Sequence, residues 1–266
     1  MYKVFASDID NTLTQSAKEV PQANYEAVRR AIDAGIKVIL ATGRGYGGAI
    51  HICRALDLHG PVITYGGAQI NDIDTGDEIR GTAMNPELIL ELLELAAGYG
   101  VHAQIYQGDG IVYECEDLLG DKYASFLGIK KTIDPDIRKK RWANVPKLLY
   151  ITSPERVKEL EPALSKLFEG RLEVSLSNPA YIEFTTAGVN KGSALQWLAE
   201  EYWHVKREEV AAAGDNTLDN SMIVYAGLGA AVKDGARSTL AVADMEIPAC
   251  ADNGVAWLID NILLKR

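Results

Sequence analysis

Three short, mostly apolar runs in this chain stop on polar turns: Val4 to Ala6 on Asp8 and Asp10, Ile36 to Ala41 on Thr42-Gly43, and Glu209 to Ala213 on Gly214-Asp215 with Asp219. Apolar runs of this length without alternation read as strands buried on both faces, and such strands belong to parallel sheets covered by helices. The chain between them agrees. Pro21 opens a segment in which Ala27, Val28, Ala31 and Ile32 recur at helical spacing until Gly35; a second helix is expected around Ala49 to Leu56, and Pro61 to Thr64 reads as a third strand. Residues 1–66 therefore read as βαβαβ, the pattern of a doubly wound, Rossmann-like parallel sheet. A hairpin of Gln69-Ile70-Asn71 and Glu78-Ile79-Arg80 about Asp74-Thr75-Gly76-Asp77 is expected to follow.

From about residue 83 the pattern changes. A helix from Pro86, strands at Val101 to Tyr106 and Gly110 to Glu114 around a Gly108-Asp109-Gly110 turn, and a helical segment near 117–127 come first. A strand at Lys147 to Thr152, a helix over Pro154 to Phe168, and strands at Arg171 to Leu176 and Tyr181 to Phe184 complete the stretch. Neighbouring strands with interspersed helices predict an antiparallel α+β layer, so residues 82–187 read as a domain inserted into a core of 1–81 and 188–266. After Gly188 the first pattern resumes: a helix opened by Asn190-Lys191-Gly192, the strand ending at Asp215, a short strand at 228–232 and a terminal helix.

The acids at the strand ends carry the chemistry. In extended chain the spacing of Asp8 and Asp10 aims both carboxylates to one side, where they repel unless one is protonated or a cation sits between them. The same pair would also serve as an Asx turn that merely ends a strand. Three or four acids on one sheet edge would be costly to bury without a cation, whereas a hard divalent ion with oxygen ligands fits them. Lys191, at a helix start, would bring a positive charge to that edge; a lysine there is otherwise a solvated surface residue.

Bulk properties narrow the partners. A net charge of -10 with no basic block longer than Arg138-Lys139-Lys140-Arg141 argues against nucleic acid. Cys53, Cys115 and Cys250 are scattered with no CxxC, which argues against a disulfide framework or zinc site and favours buried small hydrophobes. Asp8 and Asp10 interrupt any signal-peptide core and no apolar run reaches membrane-spanning length, so a cytoplasmic protein, monomer or weak homodimer, without a membrane partner is expected.

In order and spacing, Asp8-Ile9-Asp10-Asn11-Thr12, Thr42-Gly43-Arg44, Lys191-Gly192 and Gly214-Asp215 with Asp219 and Met222 resemble the four motifs of the haloacid dehalogenase superfamily. The insertion after the second motif and the closing Asn253-Gly254-Val255-Ala256 resemble its Cof-type phosphatases with a class IIB cap. The resemblance implies a Mg2+-dependent phosphatase of small phosphorylated metabolites, sugar phosphates first, working through an aspartyl-phosphate. It makes Asp8 the nucleophile and Asp10 the general acid and base, the latter also ligating Mg2+ through its carbonyl. Asp8 and Asp215 would hold the metal, and Asp219 would be an outer-shell partner. Thr42, Gly43 and Lys191 would bind the phosphoryl group, and Arg44 would orient substrate or brace its turn. Departures are Asn11 where the family usually has Gly, Leu218 where it places Asn beside the second acid, and Tyr65 and Gly235 where Asn is common. Asn tolerates left-handed backbone, and Asn216 or Asn220 would compensate for Leu218.

Three other readings share these residues. Gly43-Arg44-Gly45-Tyr46-Gly47-Gly48 matches GxGxxG, but the acid a dinucleotide turn expects about twenty positions on is replaced by Thr64-Tyr65-Gly66. Leu218 would suit a catalytically silent, metal-binding scaffold or regulator. A sugar phosphomutase on the same fold is the third. Tyr106, Tyr113, Tyr181 and Glu183 would reach a polar substrate or, as strand residues, sit in the core.

Overall fold

The first strand, β1 (Val4–Ser7), is buried at every residue, as its apolar run requires of an interior strand. This computed structural model describes residues 1–16, 19–108 and 110–265; Asp109 of the expected glycine turn lies outside them. A helix over Gln22–Asp33 returns the chain to β2 (Lys37–Leu40), and a helix over Tyr46–Ala55 leads to β3 (Pro61–Thr64), β4 (Gln69–Asp72) and β5 (Glu78–Gly81). The helix Pro86–Tyr99 is capped by Asn85, whose side chain accepts from the Glu87 amide, and stops at left-handed Gly100. Then come β6 (His102–Gln107), β7 (Gly110–Tyr113), the helix Leu118–Leu127, β8 (Lys130–Ile133), β9 (Leu148–Ile151), the helix Pro154–Leu167, β10 (Leu172–Asn178) and β11 (Tyr181–Thr186). The helix Lys191–Trp197, β12 (Val210–Gly214), the helix Asn220–Tyr225, β13 (Leu228–Val232), β14 (Met245–Ile247) and the helix Gly254–Leu258 complete the chain.

The core is a five-stranded parallel sheet in the order β14-β13-β12-β1-β2, with helices packed on it. Because β1 lies between β2 and β12, the chain leaves β1 in one direction across the sheet and returns on its other side. That reversal opens the crevice at the carboxyl ends of β1, β2 and β12 where such sheets bind ligands. Pro61 to Thr64 runs parallel beside the end of β2, as the βαβαβ reading expects, but the ladder between them is short. β3 pairs antiparallel with β4 in a separate sheet of order β3-β4-β5 and touches the parallel sheet through one bridge, Ala41 to Ile63. After β3, Tyr65, Gly66 and Gly67 take φ of 51°, 67° and 104°, which turns the chain straight back so that β4 pairs along the other edge of β3.

The second layer is a six-stranded sheet of order β10-β11-β9-β6-β7-β8, antiparallel except where β8 joins β7. The strand at β8 escapes a reading from sequence because its four residues are all exposed and carry no alternation. Ile89, Leu92, Leu93, Leu160 and Leu164 of two helices pack on one face with Leu148 and Tyr150. Tyr106, Tyr113, Tyr123 and Leu149 form a cluster on the other side that includes Tyr65 of the turn after β3, with the Tyr65 and Tyr106 rings edge to face at 5.4 Å. This aromatic contact seats the second layer above the carboxyl ends of the parallel strands.

Candidate active site

Asp8 follows β1 directly and its amide donates to Ala213 of β12 at 3.0 Å, so the end of one strand is fixed by the next. Beyond it the chain turns at Asn11, whose φ of 61° is the left-handed backbone that glycine or asparagine accepts. Lys191 stands at the start of its helix behind an Asn190 cap, and its fully buried ammonium lies 2.6 Å from both Asp8 Oδ1 and Asp219 Oδ1. The other oxygen of Asp219 accepts from the Asp215 and Asn216 amides at 2.9 and 3.1 Å. Asp215 accepts from the Thr12 hydroxyl at 3.0 Å and from the Asn216 side-chain amide at 3.3 Å. Asp8, Asp215 and Asp219 each present an oxygen within 4.8 Å of the others, and Asp8 Oδ2 is buried without a hydrogen-bond partner.

Asp10 sits apart from that trio, its carboxylate gripped by Arg44 through Nε at 2.8 Å and Nη2 at 2.6 Å. Arg44 also donates to the Gly48 carbonyl, so it braces Asp10 and its own turn together. Thr42 accepts the Arg44 amide on its hydroxyl oxygen, which leaves the hydroxyl proton for another acceptor. The amide of Gly43 has no acceptor among the described residues.

Charge is out of balance here. Four carboxylates, Asp8, Asp10, Asp215 and Asp219, face two paired cations, Lys191 and Arg44, an excess of two negative charges. Burial raises Asp8 well above the usual carboxylate range in spite of Lys191, with Asp219, Asp215 and Asp10 adding to it. Burial and then the charge of Asp219 raise Asp215 to about 7. Burial opposes the charge on Lys191, but Asp219 and Asp8 outweigh it and hold the ammonium above its ordinary value. An excess of two charges beside an unpartnered carboxylate oxygen, in an all-oxygen donor set, is what a hard divalent cation neutralises.

A cavity of about 330 Å³ opens over this edge, lined by Asp8, Asp10, Gly43 and Arg44 below and by Tyr181 and Glu183 of the second layer above. Thr42, Lys191, Asp215 and Asp219 are buried and touch this lining from behind, so the residues of the four motifs meet at one sheet edge in two tiers. Tyr106 and Tyr113 are buried in the aromatic cluster and do not line it. Leu218 packs toward Gly43 and Gly66, while Asn216, not Asn220, reaches Asp215. Lys147 is a residue that sequence reasoning passes over: fully buried, it donates to the Gly43 carbonyl and to Glu183 Oε2 at 2.9 Å. Its one sequence signal is a charge at the head of the apolar Leu148 to Ile151 run.

Residues 5–259 match the family profile of the haloacid dehalogenase-like hydrolases. The chain belongs to that family. Among its relatives is the 5-amino-6-(5-phospho-D-ribitylamino)uracil phosphatase YitU of Bacillus subtilis, 24% identical over 95% of this chain and 94% of the relative. A haloacid dehalogenase-like hydrolase from Bacteroides thetaiotaomicron is 28% identical over 98% of this chain and all of that one, with a TM-score of 0.83. The sugar phosphatase BT4131 of subclass IIB, 21% identical over 98% of this chain and 99% of that one, shares the fold with a TM-score of 0.83. This hydrolase thus has the parallel core and antiparallel cap of a phosphatase family whose members act on small phosphorylated molecules. The dinucleotide reading of Gly43 to Gly48 is set aside, since Tyr65 closes over Gly45, where an added Cβ would stand 2.6 Å from its hydroxyl. Among the described residues no helix is long and apolar enough to cross a membrane.

Proposed function

We propose that this hydrolase is a Mg2+-dependent phosphatase of small phosphorylated metabolites, with sugar phosphates the first class to test, and that residues 82–187 act as its cap. The observation that carries the reading is Asp8: one oxygen is held by Lys191 and the other is buried and unpartnered, at a cavity that Gly43 also lines. An oxygen so placed is aimed and desolvated, the state a carboxylate nucleophile needs. The Asp8 oxygen attacks phosphorus while Asp10 gives a proton to the leaving alkoxide, and the aspartyl-phosphate forms as the ester bond breaks. Asp10 then takes a proton from water, whose oxygen attacks phosphorus and frees Asp8 and inorganic phosphate. Thr42, Gly43 and Lys191 hold the phosphoryl oxygens. Arg44 keeps Asp10 in place rather than touching phosphate.

Asp8 and Asp215, with the Asp10 carbonyl, would hold Mg2+, and Asp219, engaged by Lys191 and two amides, would stay outside that set. When bound, the ion supplies the two positive charges the site lacks. The support for sugar phosphates is the shared fold with a subclass IIB sugar phosphatase and the polar upper cavity wall. Phosphate release from para-nitrophenyl phosphate, with and without Mg2+, tests the reading. The parent should require Mg2+, and Asp8→Asn, which keeps the shape and removes the nucleophilic charge, should be inactive. Metal-independent release, or full activity in Asp8→Asn, would overturn it.

A further inference from the structure

We infer that Glu183 makes the cavity select phosphate esters of neutral polyols against phosphorylated carboxylic acids; the inference rests on the phosphatase reading above. Glu183 lies on β11 and is nearly fully buried, yet it lines the cavity. Its Oε2 is held by Lys147, whereas Oε1 accepts no hydrogen bond from any described residue and opens on the cavity. That carboxylate is close to the phosphate turn, because a Cβ added at Gly43 would stand 3.1 Å from Oε1. It therefore faces the first carbons of a leaving group rather than its far end.

Among the described residues no unpaired cation lines the cavity. Among the described lining residues Arg44 is the sole base, and its guanidinium is held on Asp10 and Gly48. Lys147 does not reach the cavity: it is fully buried between Glu183 and the Gly43 carbonyl, 4.7 Å above the Tyr106 ring. A carboxylate oxygen that opens on the cavity and has no protein donor accepts a hydrogen bond from a substrate hydroxyl that takes the place of water there. A second carboxylate supplies none and adds like-charge repulsion in a site screened poorly by water.

The test compares sn-glycerol 3-phosphate with D-3-phosphoglycerate, which share three carbons and the ester and differ in CH2OH against carboxylate. The parent should hydrolyse the glycerol ester with a kcat/KM at least about tenfold higher, and Glu183→Gln should narrow that ratio to about threefold or less. A parent ratio near one, or a ratio unmoved in soluble, folded Glu183→Gln, overturns the inference while hydrolysis itself sustains the phosphatase reading. Should Glu183→Gln not fold, the parent ratio still decides. If the parent hydrolyses neither compound nor para-nitrophenyl phosphate, the phosphatase reading falls. Calorimetric binding of the same two compounds to the parent then decides the inference, about tenfold weaker phosphoglycerate binding sustaining it and equal binding overturning it.

Discussion

The Lys191 ammonium touches Asp8 at 2.6 Å across 183 residues of chain, and the same nitrogen touches Asp219 at the same distance. Two buried carboxylates thus depend on one buried cation. Removing one partner of such a buried cluster leaves charge uncompensated, at about 3–5 kcal/mol. Lys191→Met in metal-free buffer should lose stability of that order by urea denaturation. The raised folded pKa of Lys191 means this contribution is fully present below its ordinary value of 10.5 and is lost only as pH climbs through the higher folded value. A difference between parent and variant that vanished at neutral pH would contradict the pairing.

Metal-free protein should become less stable as pH rises from about 4 to about 7. Asp215 titrates near 7 in the fold against 3.8 when unfolded, so over that window the folded state binds more protons than the unfolded one, and unfolding free energy falls with pH. Asp8, also raised, acts in the same direction. Mg2+ binds the deprotonated form, so its increment in Tm should be larger at pH 8 than at pH 5. Equal Mg2+ increments at the two values, or the same pH slope in Asp215→Asn, would count against the assignment.

Arg44 holds Asp10 with two parallel N–H donors, a geometry lysine cannot reproduce. Arg44→Lys should therefore lower kcat for para-nitrophenyl phosphate by about 10- to 100-fold with KM nearly unchanged, since proton transfer by a positioned group is typically worth 10²–10⁴. A change confined to KM would instead make Arg44 a substrate-binding group.

Asn216 and Leu218 separate two roles that the motif combines. Asn216 donates to Asp215, whereas Asn220 Oδ1 is buried without a hydrogen-bond partner. Asn216→Ala should raise the Mg2+ concentration needed for half-maximal activity by about 10-fold or more, within the range seen when an outer partner of a metal ligand is lost. Asn220→Ala should leave it unchanged. Similar Mg2+ curves for parent and both variants would place the control of metal affinity elsewhere.

The sequence by itself determined the parallel core, the inserted antiparallel layer and the acidic strand ends, because buried strands must be apolar throughout and their terminating polar residues then stand out. Asn11 was legible for the same kind of reason: a left-handed position admits few residue types. Only the tertiary structure decided that β3 meets β2 through one bridge and pairs along its length with β4, since its four apolar residues suit either neighbour. The exposed β8 left no periodic trace. Lys147 looks, in sequence, like a stray charge before an apolar strand and Glu183 like a residue of either core or site, and their pairing across 36 residues over Gly43 exists only once two strands and a turn have met. Local pattern reports how much of each residue must be hidden from water; which charge faces which is fixed by distances that the folded chain alone creates.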